Sequence, residues 1–383
     1  MLMEKVIAWR RHLHKYPELS FQEYETAAFV EKQLKQHRDL LVFRPTPTSV
    51  MARFVSEKPG KVVALRADMD SLPIQEETNL PFKSERSGVM HACGHDGHTA
   101  ILLGVAEYLV TNRHEIQGEI RFLFQHAEEL APGGAQEMVN AGVMDGVDYV
   151  IGLHLWSTLE YGKVGILYGN TMAAPDIFEI EIEGKGGHAA FPHETIDPIV
   201  VGAQVVTNSQ QIISRRTDPL DPVVLSITQF HAGTTFNVIP DKVSMSGTVR
   251  SFDPRYRQFV HEQMDKLVRG IVSGYDASYT LEYNEGYLPV VNHVGTTKIV
   301  EEAAVELFGT ECIEKMKPVM GAEDFSAFQQ KAPGTFVFVG AGNKDKGITK
   351  PHHHPQFDID ENSLNMGVKL MVRSAQKLTR TEI

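Results

Sequence analysis

The chain has 383 residues, of which 42% are hydrophobic and 22% charged, and 49 acidic against 37 basic residues give a net charge of −12. This length suits two domains, and the acidic balance argues against nucleic acid or an anionic membrane as a partner. Two cysteines, Cys93 and Cys312, are too few for a disulfide framework. With no apolar signal core and no run near the ~20 apolar residues of a membrane span, we expect a cytoplasmic protein.

The first half of the chain alternates helical patterns with short apolar strands. Helices are predicted over residues 4–16, 23–35 and from about 99, and strands over 61–67, 119–124 and 148–153. This alternation is typical of an α/β domain with a mixed, largely parallel sheet, whose functional side chains gather beyond the carboxyl ends of the strands. Asp68, Glu128, Glu129 and His154 all fall at or just past a predicted strand end.

The pattern changes after about residue 172. The predicted elements are a strand at 176–183, a helix at 197–216, strands at 222–230 and 241–251, a helix at 254–273 and a strand at 277–283. The order β-α-β-β-α-β is that of a ferredoxin-like domain. Helix and strand patterns resume from about 288. We therefore expect a discontinuous catalytic domain, residues 1–172 and 288–383, interrupted by an inserted domain, residues 173–287.

Residues 91–98, with the sequence HACGHDGH, hold three imidazoles, one thiol and one carboxylate. Two glycines permit a tight turn and an apolar helical run follows, so this segment is predicted to be a loop that opens a helix, where the helix dipole stabilises a thiolate. Ligands this dense favour a transition metal such as zinc or manganese. A Cys–His nucleophile pair is the second interpretation. It ranks lower because a nucleophile needs one base and this segment offers three imidazoles.

Further candidate ligands lie later in the chain. The candidate donors are Cys93, His95, Glu129, His154 and one of His352, His353 and His354. A hydrolytic centre with two metals needs such a set together with a water molecule and a base. On an extended backbone the neighbouring side chains of Glu128 and Glu129 would point in opposite directions. We therefore assign Glu129 to the metal and Glu128 to the role of general base.

Several segments resemble, in chain order, one branch of the aminoacylase and carboxypeptidase-type metallopeptidases. This branch holds metal-dependent amidohydrolases: hippurate hydrolases, N-acyl-L-amino acid amidohydrolases and plant auxin-conjugate hydrolases. The matching segments span almost the whole chain and are residues 10–18, 65–70, 91–98, 127–129, 152–154, 186–190, 237–240, 321–325 and 353–355. Three positions depart from the family pattern: Arg66 stands where related carboxypeptidases have a ligand histidine, His126 replaces a common proline and Leu130 a common glycine.

The resemblance implies two divalent metal ions per subunit, manganese or zinc, with cobalt or nickel also possible. Its implied ligands are Cys93, His95, Glu129, His154 and His353. It also implies hydrolysis of the amide bond of N-acyl-L-amino acids, by a metal-bridged water with Glu128 as general base.

The same resemblance implies that the inserted domain is a lid and a dimerisation domain, within a homodimer or homotetramer. His188 of the partner subunit would then polarise the scissile carbonyl, while Asn237 and Arg250 hold the substrate. The alternatives are a dipeptidase or carboxypeptidase with the same dinuclear site, an N-acetyl-diaminopimelate deacetylase, a Cys-dependent hydrolase and a non-catalytic metal-binding protein.

Overall fold

The computed structural model describes residues 2–381, which form two compact units. The first unit comprises residues up to Thr171, Val290–Pro318 and the chain from Asp324 onward, and the second comprises Met172–Pro289 and Val319–Glu323. The segment Val319–Glu323 thus lies with the second unit. A backbone bridge between Met172 and Val319 and a 2.9 Å hydrogen bond from the Ala173 amide to the Gly321 carbonyl hold it there.

The described chain contains the following helices and strands. The helices are α1 (Leu2–Lys15), α2 (Tyr24–Leu34), α3 (His95–Thr111), α4 (Ala135–Asn140), α5 (Pro198–Arg216), α6 (Pro254–Ser273), α7 (Val294–Phe308), α8 (Ser326–Gln329) and α9 (Asn362–Leu378). The strands are β1 (Leu41–Phe43), β2 (Val50–Val55), β3 (Val62–Asp68), β4 (Glu119–Gln125), β5 (Tyr149–Glu160), β6 (Val164–Ile166), β7 (Gly169–Met172), β8 (Ala174–Glu183), β9 (Gly187–His188), β10 (Val223–Ala232), β11 (Val238–Ile239), β12 (Lys242–Ser251), β13 (Ser278–Glu285), β14 (Val290–Asn292), β15 (Ile313–Lys315) and β16 (Gly334–Gly342).

The first unit is built on an eight-stranded mixed sheet in the order β1-β2-β4-β3-β5-β16-β6-β15. Its centre is parallel, because β3 pairs in parallel with β4 and β5, and β5 with β16. Helix α3 is apolar along most of its length and is buried against this sheet. Gly104 allows α1 to approach closely, since a Cβ there would lie 2.6 Å from Cγ2 of Val6. The predicted α/β class is confirmed.

Strand β5 differs from its predicted bounds. It continues to Glu160 instead of ending near residue 153, because β16 pairs with it along its whole length, up to Gly342 opposite Glu160. On its other side β5 pairs with β3 only as far as Gly152. His154 therefore lies within a strand, two residues beyond the last position at which β5 pairs with β3.

The second unit contains an antiparallel sheet in the order β10-β12-β8-β13, packed against α5 and α6 over an aliphatic core. Both helices begin with the same capping sequence, an aspartate followed by a proline. The carboxylates of Asp197 and Asp253 cap α5 and α6, and a proline occupies the first helical position of each, where its missing N–H costs no hydrogen bond. Among residues 2–381, no helix combines the length and apolar character that a membrane span requires.

Candidate metal centre

The segment at residues 91–98 forms the predicted loop that opens a helix. Gly94, the residue before α3, has φ of 93°, a left-handed conformation that glycine adopts without strain. This turn places Cys93 just before the helix and His95 at its first residue. Both side chains are buried.

The five candidate ligands converge in the first unit. Sγ of Cys93 lies 3.4 Å from Nε2 of His154, and Oε1 of Glu129 lies 3.8 Å from Nε2 of His95. Nε2 of His353 lies 3.3 Å from the same Glu129 oxygen. Donor atoms of Cys93, His95 and His154 lie within 4.8 Å of one another, and so do those of Cys93, Glu129 and His353.

The side chain of His95 is oriented by Asp70. Its Nδ1 lies 3.0 Å from the Asp70 carbonyl oxygen and 3.1 Å from Oδ1 of the same residue, so Nδ1 carries the proton and donates it. Nε2 therefore faces the other ligands, and in the neutral ring it carries the lone pair. Burial alone lowers the pKa of His95, but the negative charges of Asp68, Asp70 and Glu129 outweigh it and raise that pKa to about 10. Positive charge is thus favoured where Nε2 points.

The backbone of Leu155 orients three further imidazoles. Its amide donates to Nε2 of His98 at 2.8 Å, while Nδ1 of His98 donates to Asp68 at 2.6 Å. His98 thus uses both ring nitrogens within the fold. The Leu155 carbonyl accepts from Nδ1 of His154 and from Nε2 of His352, both at 2.9 Å, which leaves Nε2 of His154 directed toward Cys93. These imidazoles bind the backbone of β5 beyond the last residues that pair with β3.

The triple histidine at residues 352–354 divides into three roles. His352 is held by Leu155, and Nδ1 of His354 accepts from the Gln356 amide at 3.0 Å. His353 has φ of 64°, and its amide donates to the Ala92 carbonyl at 2.8 Å. That backbone conformation directs its ring to Glu129, so it is His353 that approaches the other donors.

The prediction that Glu128 and Glu129 point in opposite directions is wrong. Oε2 of Glu128 lies 4.0 Å, and Oε1 of Glu129 3.8 Å, from the same atom, Nε2 of His95. The reason is that Glu128 and Glu129 lie in a bend, which follows the left-handed Ala127 with its φ of 49°, and not in an extended strand. The Glu129 amide donates to Oδ2 of Asp70 at 2.9 Å, which holds the turn in place.

The side chains around Cys93 do not by themselves favour its thiolate. Burial raises the pKa of Cys93 well above its usual value, and the charges of Glu129 and Glu128 raise it further. A buried thiol beside two carboxylates favours a cation among them. Nε2 of His95 and Oε1 of Glu129 are buried without a hydrogen-bond partner in the described chain. Thiol, imidazole and carboxylate donors around such atoms fit a divalent metal.

Supporting groups behind the ligands are not evident from the sequence pattern. Arg66 donates to Asp68 at 2.6 Å, to Asp324 at 3.0 Å and to the Gln125 side chain at 2.7 Å, and its side chain is fully buried. It therefore neutralises carboxylates beneath the site. The sequence signals for this network were the matching segments 65–70 and 321–325, but nothing in them indicated that Arg66 contacts Asp324.

The remaining candidates lie in the second unit. Strand β9 pairs with β11 so that His188 lies opposite Val238, which brings His188 and Asn237 onto one small ladder. Both residues are exposed. Arg250 lies on β12 instead, half-buried, and its Nη1 is buried without a hydrogen-bond partner among residues 2–381.

Comparisons with known proteins support the interpretation of this site. The model of peptidase family M20/M25/M40 matches residues 64–377. The chain belongs to this family. An N-acyl-L-amino acid amidohydrolase from Geobacillus stearothermophilus is 62% identical over 288 residues, which cover 75% of this chain and 78% of that protein.

Two further comparisons are informative. Thermostable carboxypeptidase 1 of Saccharolobus solfataricus is 44% identical over 364 residues, covering 94% of this chain and 92% of that protein. The crystal structure of Bacillus subtilis YXEP, a dinuclear metal-binding peptidase of the M20 family, matches with a TM-score of 0.85 and 37% identity, covering 99% of this chain and 98% of that one. The predicted metallo-amidohydrolase family is confirmed, as is a site for two divalent metal ions.

Proposed function

We propose that this M20 protein hydrolyses the amide bond of N-acyl-L-amino acids, using two divalent metal ions held by Cys93, His95, Glu129, His154 and His353. The observation that carries the proposal is the convergence of these five donors in two groups that share Cys93, one with His95 and His154 and one with Glu129 and His353. Nε2 of His95 is unpartnered among the described residues, and the Glu128 carboxylate lies 4.0 Å from it. The 62% identity to an N-acyl-L-amino acid amidohydrolase supports the substrate class.

In this proposal Glu128 moves the protons of the reaction. When bound, the metals supply Lewis acidity and make water more acidic near neutral pH. Glu128 accepts the proton of the attacking water and delivers it to the leaving amine nitrogen. Its side chain is nearly buried, so the carboxylate competes with little bulk solvent for that proton. Glu129 and the three imidazole ligands hold their positions throughout.

The identity of the metal is a second part of the proposal. A thiol and three imidazoles favour zinc by affinity, whereas manganese is selected where it is more available in the cell. Cobalt and nickel are further candidates. A cytoplasmic location belongs to the same proposal, since both cysteines of the described chain are free, buried thiols.

We further propose that the second unit mediates homodimerisation, and that His188 of the partner subunit donates a hydrogen bond to the scissile carbonyl. Asn237 and Arg250 then hold the carboxylate or carbonyl of the substrate. In support, the Phe236 side chain beside Asn237 is 97% exposed, and β10 is an edge strand of its sheet. Exposed aromatic side chains next to an open strand edge are typical of surfaces that associate.

A carboxypeptidase is the second candidate function. It is favoured by the 44% identity to a thermostable carboxypeptidase over nearly the whole chain. The two functions share the metals and the base but differ in what lies on the carbonyl side of the scissile bond, an acyl group or a peptide.

The test is the release of amine from a panel of N-acyl amino acids and dipeptides, before chelation, after chelation, and after zinc, manganese or cobalt is added back. Chelator-sensitive cleavage of the acyl amino acids is expected. Cleavage of peptides alone would establish the carboxypeptidase instead. Activity that survives verified removal of metal, but is destroyed by a thiol alkylator, would identify a Cys-dependent hydrolase.

A further inference from the structure

Glu23 is a buried carboxylate with an unusual set of partners. It is the residue before α2, where a carboxylate ordinarily caps the helix, yet among the described residues its side chain makes no such hydrogen bond. Its Oε1 instead accepts from the amide of Ala127 at 2.7 Å and from the amide of Phe21 at 3.1 Å. The side chain has thus turned from its own helix toward a segment more than 100 residues later.

Both of these donors lie in strained backbone. Phe21 has φ of 64° and Ala127 has φ of 49°, a left-handed region that costs a non-glycine residue free energy. A single carboxylate oxygen holds both conformations. Ala127 directly precedes Glu128 and Glu129, so the Glu23–Ala127 hydrogen bond acts on the segment that carries the base and a ligand.

The other oxygen of Glu23 adds a second observation. Oε2 is buried without a hydrogen-bond partner in the part of the chain that the structure describes, and the residue is fully buried. An unsatisfied buried carboxylate oxygen costs stability. Buried polar atoms without a hydrogen-bond partner are expected where a functional geometry requires the residue that carries them.

We propose that Glu23 is a positioning residue for the turn at residues 127–129, and that it acts through the Ala127 amide to set the place of Glu128 and Glu129. The proposal rests on the proposed amidohydrolase function. Asp70 complements Glu23 within this arrangement: Glu23 holds the amide at the start of the turn and Asp70 holds the Glu129 amide at its end. Ser20 in turn donates to Asp70 at 2.7 Å, so the segment before α2 supports both ends of the turn.

The test compares Glu23→Leu, Glu23→Asp and Glu23→Gln by kcat, KM and metal content. Leucine removes the oxygen that accepts from the Ala127 amide, and the shorter aspartate moves that oxygen away from the amide. In both variants kcat is therefore expected to fall by about 10- to 100-fold, at unchanged KM and full metal content. The glutamine keeps an acceptor oxygen and is expected to remain close to wild type. Glu23→Asp keeps the test valid if the leucine variant does not fold.

Glu18→Leu is the matched control. Glu18 is also buried and also accepts two backbone amides, those of Thr26 at 2.8 Å and Glu25 at 3.2 Å, but these belong to α2 and not to the turn. Its loss should lower stability and leave kcat of the folded protein unchanged. The proposal is overturned if Glu23→Gln falls as far as Glu23→Leu, if Glu18→Leu loses as much kcat, or if Glu23→Leu and Glu23→Asp keep wild-type kcat.

A cobalt-substituted protein separates this proposal from the proposed function. If the wild type hydrolyses no substrate of the panel, the amidohydrolase proposal has failed, and the visible spectrum of bound Co²⁺ still reports the ligand geometry. Glu23→Asp is then expected to shift that spectrum while Glu18→Leu does not. Identical spectra for wild type and Glu23→Asp would overturn the role of Glu23.

Discussion

The two units hold their candidate residues in different ways. In the first unit His95, His98 and His154 are buried, and each has a ring nitrogen bound to a carboxylate or a backbone group. In the second unit His188 and Asn237 are exposed on a short ladder. A buried, hydrogen-bonded site is organised before a ligand arrives, whereas exposed side chains gain a fixed position only when something covers them. The comparison therefore predicts that the first unit supplies the chemistry and that the second depends on association.

The largest effect is expected from Glu128→Gln in the first unit. Removal of a general base should lower kcat by about 10²- to 10⁴-fold, because the amide cannot accept the proton of water. Metal content should stay at the wild-type level, measured by elemental analysis. Glu129→Gln is the contrasting variant, since it should lose metal as well. A Glu128→Gln enzyme with near wild-type turnover would move the role of base to another residue.

The buried ion pair of the second unit is the next test. Arg257 donates to Asp176 at 2.9 Å, and Asp176 also accepts from the Tyr283 hydroxyl at 2.9 Å and the Gly286 amide at 3.1 Å. Arg257→Met should destabilise this unit by about 3–5 kcal/mol, because it leaves a buried carboxylate without its cation.

Hydrogen exchange followed by mass spectrometry measures this effect unit by unit, with faster exchange expected in β8 and β13 and unchanged exchange in β3 and β4. Equal acceleration in both units would show that they unfold together, and would contradict the separation on which the comparison rests.

His188→Ala tests the dependence on association. Loss of one hydrogen-bond donor to a developing oxyanion should cost about 10²- to 10³-fold in kcat, while stability is unchanged because the side chain is exposed.

Mixing this variant with Glu128→Gln sharpens the test. If His188 acts on the partner's site, a random mixture of subunits should regain about a quarter of wild-type activity, since half the dimers are mixed and each has one intact site. If the mixture recovers no activity, His188 and Glu128 act in the site of the same subunit.

The smallest effect is expected at an exposed pair. Nζ of Lys242 lies 2.8 Å from Oε2 of Glu181 on the second unit, and the lysine side chain is largely exposed. Lys242→Ala should leave hydrogen exchange in β8 and β12 unchanged. Solvent screens the attraction within this pair, and what remains of it is offset by the entropy lost in holding the long lysine side chain in one place. A change as large as that of Arg257→Met would show that exposure is a poor guide to stability in this unit.

Local sequence rules predicted the elements well. Helix α6 begins and ends at the predicted residues, since Asp253, Pro254 and an amphipathic repeat define it locally. The predicted end of β5 was wrong because the true end depends on pairing with β16, which lies far later in the chain. The same limit applies to the site. Ligand types could be read from residues 91–98, but the direction of Glu128 depends on the left-handed Ala127, and that conformation depends on a distant contact with Glu23.

The peptide group of Leu155 offers a direct spectroscopic view of the centre. Its N–H is bonded to an imidazole nitrogen of His98 and its carbonyl to the rings of His154 and His352, where a neighbouring strand would otherwise supply both partners. The amide resonance of Leu155 in a ¹⁵N-correlated spectrum should therefore respond to the tautomer and protonation of these rings. Titrating metal into the labelled protein and following this single backbone signal would count loaded centres without a substrate, a chromophore or a mutation.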